Sequence, residues 1–290
     1  MKLVTFNHAG QTRPGVLKDN TIVDLAAAGF PTGRHGDLLE ILRGGKQMED
    51  AIRLAADAAD ATTIPLESVK LCAPVIEPGK IVGIGLNYID HCREANLKVP
   101  EVPVLFAKFP SSVVGPDDDI VFDRSVCSEV DYEVELGVVM GSRARKVSEQ
   151  EALDHVAGYS IVHDVSARDL QFREAQQWDH GKSVDTFCPW GPYLVTKDDI
   201  PDPQSLDLRL SLNGQELQFS NTKNMIFSVA RLVSFISQSI TLEPGDLIVT
   251  GTPFGVGFSR NPPIYLKHGD ECVLEISGLG RLSNRVREIN

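Results

Sequence analysis

The sequence predicts a mostly β fold of the α+β class, preceded by a small α/β unit. Three observations support this prediction. Short alternating or continuously apolar segments recur between turn signals, few stretches have helical spacing, and no regular succession of strands and helices indicates a parallel sheet. The apolar fraction of 42% is sufficient for a packed core.

The small N-terminal domain is predicted to cover residues 1–72, and the main domain residues 73–290. A turn is expected at residues 18–20, between the second and third strands. Prolines and a Pro-Gly pair interrupt the chain between residues 65 and 79 and mark the boundary. The predicted elements of the small domain are strands at 3–6, 15–17 and 21–25 and helices at 37–43 and 48–61.

The main domain is predicted to consist mainly of strands. Asn213-Gly214 is a strong signal for a two-residue hairpin turn. Residues 166–172 are expected to form a loop or a short helix, and residues 225–237 have helical apolar spacing. The predicted strands of this domain cover residues 80–85, 131–140, 158–162, 206–212, 247–250 and 272–276.

Charge and cysteine content exclude several classes of function. With 28 basic and 40 acidic residues, the formal charge is −12, which opposes binding to nucleic acid through a basic surface. No apolar run approaches the ~18 residues of a membrane span, and the N-terminus lacks an apolar leader segment. The five cysteines are widely spaced and odd in number, which favours a reducing compartment. We therefore expect a cytoplasmic protein without nucleic-acid or membrane partners.

The most informative segment is Asp131-Tyr132-Glu133-Val134-Glu135. On a strand, residues two positions apart share a face, so the three acidic side chains are expected to line one side. Adjacent carboxylates repel, and if they are partly buried they require a cation. A hard divalent ion with oxygen ligands meets that requirement. A solvated acidic strand face is the alternative interpretation.

Asp164 is predicted to supply a further metal ligand. It follows the predicted strand at 158–162 closely, and acids at strand ends beside loops are common in functional sites. Residues 136–140 are apolar throughout, so the acidic strand should enter the core with its carboxylates at the mouth. The predicted metal ligands are therefore Glu133, Glu135 and Asp164.

His91 and Glu94 are predicted to act as a general-base pair. They are three positions apart, so a helical turn would place them on one face within hydrogen-bonding reach. A carboxylate beside an imidazole fixes its tautomer and raises its basicity, as proton abstraction near neutral pH requires. An ordinary surface pair is the alternative interpretation.

Lys182 follows Gly181 and is predicted to reach a developing oxyanion. A phosphate-binding loop is excluded here, because that motif requires glycine at position 176, which is Gln. A solvated surface lysine is the alternative interpretation.

Neither of two glycine-containing segments has the spacing of a dinucleotide-binding loop. The loop 250–257 follows a predicted strand, and its backbone amides can hold a carboxylate. Gly83 and Gly85 also follow strand-like residues, but the third glycine of a dinucleotide-binding loop is replaced by Tyr88. A nucleotide-binding fold is therefore disfavoured.

The segment from about Pro78 to Val286 carries six motifs in a characteristic order. They are Asn87-Tyr88-x-x-His91-x-x-Glu94, Phe106-x-Lys108, Val130-Asp131-Tyr132-Glu133-Val134-Glu135-Leu136, Asp164-Val165-Ser166-Ala167-Arg168-Asp169-x-Gln171, Gly181-Lys182-Ser183-x-Asp185-Thr186, and Pro244-Gly245-Asp246 through Thr250-Gly251-Thr252-Pro253-x-Gly255-Val256-Gly257. Together they resemble the fumarylacetoacetate hydrolase superfamily, most closely its fumarylacetoacetate hydrolase domain-containing group.

This resemblance implies a mixed β-sandwich roll, usually assembled as a homodimer. It implies Mg²⁺ or Mn²⁺ on the three predicted metal ligands and a lid that carries His91 and Glu94. Some relatives that use oxaloacetate or acylpyruvates have Arg where this chain has Leu86, so a preference for acylpyruvates is not carried over. The residues implied to contact the substrate or support the site are Lys182, Gln171, Thr252, Lys108 and Arg168.

The resemblance and the site residues together predict a metal-dependent hydrolase. It would cleave a C–C bond of a small 2,4-dioxo acid, either acylpyruvate-like or derived from a sugar. His91, oriented by Glu94, would activate water, and the metal and Lys182 would stabilise the departing enolate. Oxaloacetate decarboxylation and oxaloacetate keto–enol tautomerisation are the alternatives. A dienoate hydratase or isomerase and a non-catalytic metal-binding module are less favoured.

Overall fold

The computed structural model describes residues 1–94, 98–173 and 176–289, which form nineteen strands and six α-helices. The strands before residue 115 are β1 (Lys2–His8), β2 (Gln11–Lys18), β3 (Thr21–Asp24), β4 (Thr63–Pro65), β5 (Lys70–Cys72), β6 (Ile81–Gly85), β7 (Val104–Lys108) and β8 (Val113–Val114). The later strands are β9 (Ile120–Asp123), β10 (Val130–Asp131), β11 (Val134–Met140), β12 (Val156–His163), β13 (Ser166–Ala167), β14 (Cys188–Thr196), β15 (Asp207–Leu212), β16 (Gln215–Asn221), β17 (Leu247–Val249), β18 (Glu271–Ile276) and β19 (Gly280–Ile289). The helices are α1 (Leu39–Arg43), α2 (Gly45–Ala56), α3 (Ile89–Glu94), α4 (Arg168–Gln171), α5 (Trp178–Lys182) and α6 (Val229–Ser237).

The strands form a long mixed sheet, a shorter sheet and a two-stranded ribbon. The twelve-stranded sheet has the order β4-β3-β2-β1-β14-β12-β11-β17-β6-β7, with β5 also paired to β1 and β8 to β14. The five-stranded sheet has the order β16-β15-β18-β19-β9, and β10 pairs with β13. Most pairs are antiparallel, whereas β17 with β6, β14 with β8 and β19 with β9 are parallel. The predicted mostly β architecture with mixed sheets is thus confirmed.

Both faces of the long sheet are covered. On one face, Leu136 and Ile161 belong to the same apolar cluster as Leu210 and Leu274 of the five-stranded sheet. On the other face, Val139, Val162 and Leu194 share a second cluster with residues of α1 and α2. Because it lies between two layers, β11 is buried at every position and has an apolar run instead of an alternating pattern.

The N-terminal segment joins the long sheet directly. β1 pairs with β2 on one side and with β14 on the other, so residues before and after position 72 share a sheet. The predicted turn at 18–20 lies between β2 and β3. The division of the chain into domains 1–72 and 73–290 stays a prediction.

Some predicted boundaries differ from the structure for identifiable reasons. Helix α2 begins at Gly45 instead of residue 48, and it ends at Ala56 because the residues that follow bury no apolar face. Helix α6 begins at Val229, where the Ser228 side chain accepts a hydrogen bond from the Arg231 amide and caps the first turn. The Asn213-Gly214 hairpin is formed between β15 and β16, with φ of 52° and 79° at the two turn residues.

The prediction of one strand over 131–140 is wrong. The strand is interrupted at Tyr132-Glu133, because Asp131 belongs to β10 and pairs with Ser166, whereas β11 begins at Val134. The expected alignment of Asp131 with the two glutamates is therefore wrong as well. Asp131 accepts hydrogen bonds from Arg168 Nε at 2.9 Å and from the Gly257 amide at 2.7 Å.

Within the described ranges, every helix is too short or too polar to cross a bilayer.

Replacing Leu210 by alanine should strongly destabilise the fold. Leu210 is fully buried between the two sheets, so the variant loses apolar burial and leaves a cavity. The free energy of unfolding should fall by about 2–5 kcal/mol. Leu54, which is 77% exposed, is the matched control, and its replacement by alanine should change the free energy by less than about 0.5 kcal/mol. Urea unfolding followed by circular dichroism measures both values, and equal effects would contradict the two-layer core.

Candidate metal centre and active site

Four strand ends meet at one edge of the long sheet. β11 begins there, and its two neighbours β12 and β17 run antiparallel to it and end there. β6 runs parallel to β17 and ends at the same edge. The sheet order therefore brings together Asp164, helix α3 and the loop after β17, which are far apart in sequence.

Glu133, Glu135 and Asp164 form a compact acidic cluster at this edge. One carboxylate oxygen of each residue lies within 4.8 Å of the others, and all three residues are buried. The Asp164 amide donates to the Glu133 carbonyl at 3.0 Å, which places these two residues opposite each other where β11 meets β12. The structure thus brings together the three residues that the sequence singled out as metal ligands.

Buried cations neutralise part of this cluster. Lys182 Nζ donates to Glu133 Oε2 at 2.7 Å and to Asp164 Oδ2 at 2.6 Å. Lys108 Nζ donates to Asp164 Oδ1 at 2.7 Å, and Arg168 Nη2 donates to the second oxygen of Glu133. Glu135 differs: the Gly251 amide donates to it, and it has no salt-bridge partner in the described part of the chain.

Because cationic side chains bind Glu133 but not Glu135 among the described residues, the pKa values of these two glutamates differ. Burial and the charges of Asp164 and Glu133 raise the pKa of Glu135 well above its usual range. Burial also disfavours ionised Glu133, but Lys182 and Arg168 outweigh it and lower the pKa of Glu133. Burial opposes the charge of Lys182 too, yet the surrounding carboxylates raise its pKa, so it remains an ammonium.

The cluster fits a divalent cation. Three carboxylates provide the oxygen ligands that hard ions such as Mg²⁺ prefer. The buried carboxyl of Glu135 lies close to two other carboxylates and forms no salt bridge with a described residue, so the centre can accommodate further positive charge. The residues present are thus suited to hold the metal that the sequence implies.

His91 and Glu94 lie on one turn of α3, but they do not form the expected hydrogen bond. His91 Nδ1 and Glu94 Oε2 are 3.7 Å apart, which is an ion-pair distance and exceeds hydrogen-bond range. Glu94 instead accepts the Gly255 amide at 3.0 Å. The buried Nδ1 atom of His91 has no hydrogen-bond partner among the described residues.

Helix α3 is attached to the rest of the site at its beginning. The Asn87 side chain donates to the Thr250 carbonyl at 2.8 Å and accepts from the Phe227 amide at 2.8 Å. Asp90 accepts the Ser220 hydroxyl at 2.6 Å. The segment that the resemblance implied to be a lid is therefore docked over the site in this structure.

The glycine-rich loop after β17 binds carboxylates of the protein itself. The amides of Gly251, Gly255 and Gly257 donate to Glu135, Glu94 and Asp131, respectively. The amides could have held a substrate carboxylate, as the sequence suggested, but in this structure they position acidic side chains of the site.

A cavity of about 190 Å³ lies next to the acidic cluster. It is smaller than the ~300–1,000 Å³ of sites for drug-sized ligands and therefore suits a small molecule. The sequence-predicted residues that line it are His91, Glu133, Glu135, Arg168, Gln171, Lys182 and Thr252. Lys108 is 1% exposed and lies behind Asp164, so its contact with this acid supports the centre from outside the cavity.

Gln218, which the sequence did not indicate, joins the start of β11 to the loop after β17. Its side chain accepts the Val134 amide at 2.9 Å and donates to Thr252 Oγ1 at 2.9 Å. Thr252 in turn donates to the Val134 carbonyl at 3.0 Å. The alternation of its strand would not reveal this role, because Leu217 and Gln218 are both buried next to an irregularity in the β15–β16 pairing.

The arrangement is suited to proton transfer next to a developing negative charge. An imidazole, an ammonium and two carboxyl groups of a cluster that can hold a divalent ion line one small cavity. The imidazole can carry a proton, and the positive groups can stabilise an oxyanion.

Comparison with known proteins gave matches over nearly the whole chain. Residues 80–287 match the family described as fumarylacetoacetate (FAA) hydrolase C-terminal. The Bos taurus protein named oxaloacetate tautomerase FAHD2A, mitochondrial, is 44% identical over 99% of this chain and 91% of the relative.

Solved structures of similar proteins have the same fold. Fumarylacetoacetate hydrolase from psychrophilic Exiguobacterium antarcticum has a TM-score of 0.87 at 38% identity, over 100% of both chains. Maleylpyruvate hydrolase from Sphingobium sp. SYK-6, in complex with manganese(II) and pyruvate, has a TM-score of 0.84 at 29% identity, also over 100% of both chains.

Mg²⁺ binding is expected to release protons. Because the pKa of Glu135 is raised in the metal-free protein, the ion must displace a proton, and its affinity should increase as the pH rises. For the same reason, the metal-free fold should lose stability as the pH rises from the ordinary carboxyl pKa towards the raised one. Calorimetric titration in buffers of different ionisation enthalpy measures the release.

Glu135→Gln should abolish this proton release and weaken Mg²⁺ binding by at least about tenfold. Glu151→Gln is the matched control, because Glu151 is exposed and should leave both quantities unchanged. Equal binding heats in all buffers for the unmodified protein would contradict a protonated Glu135.

Proposed function

Because the chain belongs to the fumarylacetoacetate hydrolase family, we propose that it catalyses keto–enol tautomerisation of a small 2-oxo acid, with oxaloacetate as a substrate. The observation that carries this proposal is that His91, Lys182 and the two glutamates of the acidic cluster line one cavity. Tautomerisation moves a proton between C3 and the oxygen on C2, so it requires a proton carrier and positive charge at that oxygen.

The function predicted from the sequence was C–C bond hydrolysis, with tautomerisation as an alternative. The name of the Bos taurus relative, together with its 44% identity over 99% of this chain, favours the tautomerase alternative. Tautomerisation also needs less of the site, because it requires no attacking water and no leaving group.

His91 is assigned the role of proton carrier. It is 6% exposed, it lines the cavity, and its Nδ1 atom is free of hydrogen bonds from the described residues. Glu94 lies 3.7 Å away and is fixed by the Gly255 amide. A shift of a few tenths of an ångström to one ångström would bring the pair within hydrogen-bond range, and such contacts often tighten when substrate binds.

Lys182 is assigned the role of electrophile at the substrate oxygen. An ammonium has three N–H donors, and two of them are used by Glu133 and Asp164. The third has no partner among the described residues and can donate to an oxygen in the cavity. Mg²⁺ or Mn²⁺, when bound by the three carboxylates, supplies additional positive charge that makes the proton on C3 more acidic.

Gln171, Arg168 and Thr252 are proposed to shape the cavity beside the metal centre. Arg168 Nη1 donates to Gln171 Oε1 at 2.9 Å, which fixes the orientation of this amide. Thr252 is held between Val134 and Gln218. The homodimer and the cytoplasmic location stay predictions.

Hydrolysis of a 2,4-dioxo acid is the second candidate. It is favoured by the structural similarity to maleylpyruvate hydrolase, whose complex contains manganese(II) and pyruvate. In this reaction, His91 would deprotonate water instead of carbon. Parallel assays with oxaloacetate and an acylpyruvate distinguish the candidates: ultraviolet absorbance follows enol loss, and separation of the products detects C–C cleavage.

Replacing His91 by asparagine should reduce the rate of oxaloacetate tautomerisation by about 10²–10⁴-fold, because the proton carrier is lost. Mg²⁺ affinity should remain, since His91 is not among the three acidic ligands. Stopped-flow ultraviolet absorbance measures the rate, and calorimetry measures the affinity.

His268→Asn is the matched control, because His268 is exposed in the turn before β18, and this variant should retain the original rate. An unchanged rate in His91→Asn with intact metal binding would eliminate His91 as the proton carrier. Absence of oxaloacetate tautomerisation in the unmodified, Mg²⁺-loaded protein would overturn the proposed function.

A further inference from the structure

The cavity has an aromatic side that the proposed proton transfer does not use. Phe106 and Trp178 pack with ring centroids 6.0 Å apart, and Phe172 and Phe258 pack at 5.7 Å. All four rings line the cavity that also contains Glu133, Glu135 and Lys182. The site thus has a charged end and an aromatic end.

Gly83 and Gly85 of β6 make room for the first aromatic pair. A Cβ atom at Gly83 would lie 2.2 Å from the Phe106 ring, and one at Gly85 would lie 2.6 Å from the Trp178 ring. Because these positions are two apart, they share a face of the strand. The absence of side chains at these two glycines therefore allows two rings to lie directly against the backbone.

The guanidinium of Arg168, which lines the cavity, is engaged by side chains of the protein itself. Arg168 uses Nε for Asp131, Nη1 for Gln171 and Nη2 for Glu133. Its guanidinium also lies 4.4 Å above the centroid of Phe258. An aromatic ring at this end would find four rings to pack against.

The geometry points to a second substrate class for this site: 2-oxo acids that carry an uncharged aromatic ring on C3, that is, arylpyruvates. This inference rests on the proposed function, because the 2-oxo acid group occupies the charged end in both cases. The substituent on C3 then extends towards the rings of Phe106 and Trp178. An aromatic ring gains both apolar burial and ring packing there.

Keto–enol tautomerisation of an arylpyruvate requires no co-reactant. In the enol, the O–H bond on C2 breaks, a C–H bond forms on C3, and the C2–C3 double bond is replaced by a C2–O double bond. One proton leaves the oxygen and one is added to carbon, so no oxidant, reductant or water is consumed.

Binding of phenylpyruvate and pyruvate to the Mg²⁺-loaded protein tests the inference. The two acids share the 2-oxo acid group and differ in the ring, so the ratio of their dissociation constants isolates the aromatic end. Calorimetry should give about tenfold or tighter binding for phenylpyruvate. Stopped-flow ultraviolet absorbance should also show faster ketonisation of its enol than in buffer with Mg²⁺ alone.

Two variants and a control locate the effect. Trp178→Ala removes one ring, and Gly85→Ala displaces the same ring while keeping it, so each should reduce the affinity ratio towards one. Phe219→Ala is the matched control, because Phe219 is a 45% exposed phenylalanine on β16 outside the cavity lining, and it should keep the original ratio.

The outcomes separate this inference from the proposed function. Tight pyruvate binding and oxaloacetate tautomerisation without any gain for phenylpyruvate would overturn the second substrate class alone. A preserved ratio in both cavity variants would overturn the assigned aromatic end. If the protein bound neither acid and did not tautomerise oxaloacetate, both proposals would fail.

Discussion

The site depends on three buried carboxylates held close together by the ends of neighbouring strands. Such a cluster is unfavourable in a low-dielectric interior unless positive charge compensates it. Lys182 and Lys108 provide part of that charge, but Glu135 forms no salt bridge among the described residues. The resulting imbalance makes the cluster suited to a divalent ion, and the carboxylates also maintain a lysine as an ammonium next to the cavity.

Backbone amides hold acidic side chains in and around this cluster. Three glycines of the loop after β17 donate to acidic side chains, and at Gly257 a Cβ atom would lie 1.9 Å from the Ile264 carbonyl oxygen. Glycine is therefore required there by close backbone packing. In return, the loop leaves the acidic groups oriented and partly neutralised before any ligand arrives, which reduces the reorganisation that binding and proton transfer require.

The two ends of the cavity have different roles. In the proposed reactions, the charged end would provide the chemistry that all reactions of an enolate share, and it would not distinguish a carboxylate substituent from an aromatic one. The aromatic end, with Phe106 and Trp178 against the glycines of β6, provides the contacts that differ between substrates. This division explains why one set of charged residues is compatible with tautomerisation and hydrolysis, and why selectivity has to be sought away from the metal ligands.

The sequence alone determined the fold class, most strands, the Asn213-Gly214 hairpin and the residue types of the acidic cluster, because these follow from local periodicity, turn chemistry and recognisable motifs. It could not determine that Asp131 lies outside the acidic cluster. The strand is interrupted at Tyr132-Glu133 because β10 pairs with β13. It also did not reveal Gln218 or the paired aromatic rings. These side chains come from segments far apart in sequence, such as Phe106 and Trp178, and meet only in the tertiary structure; local sequence patterns contain no information about which segments become neighbours.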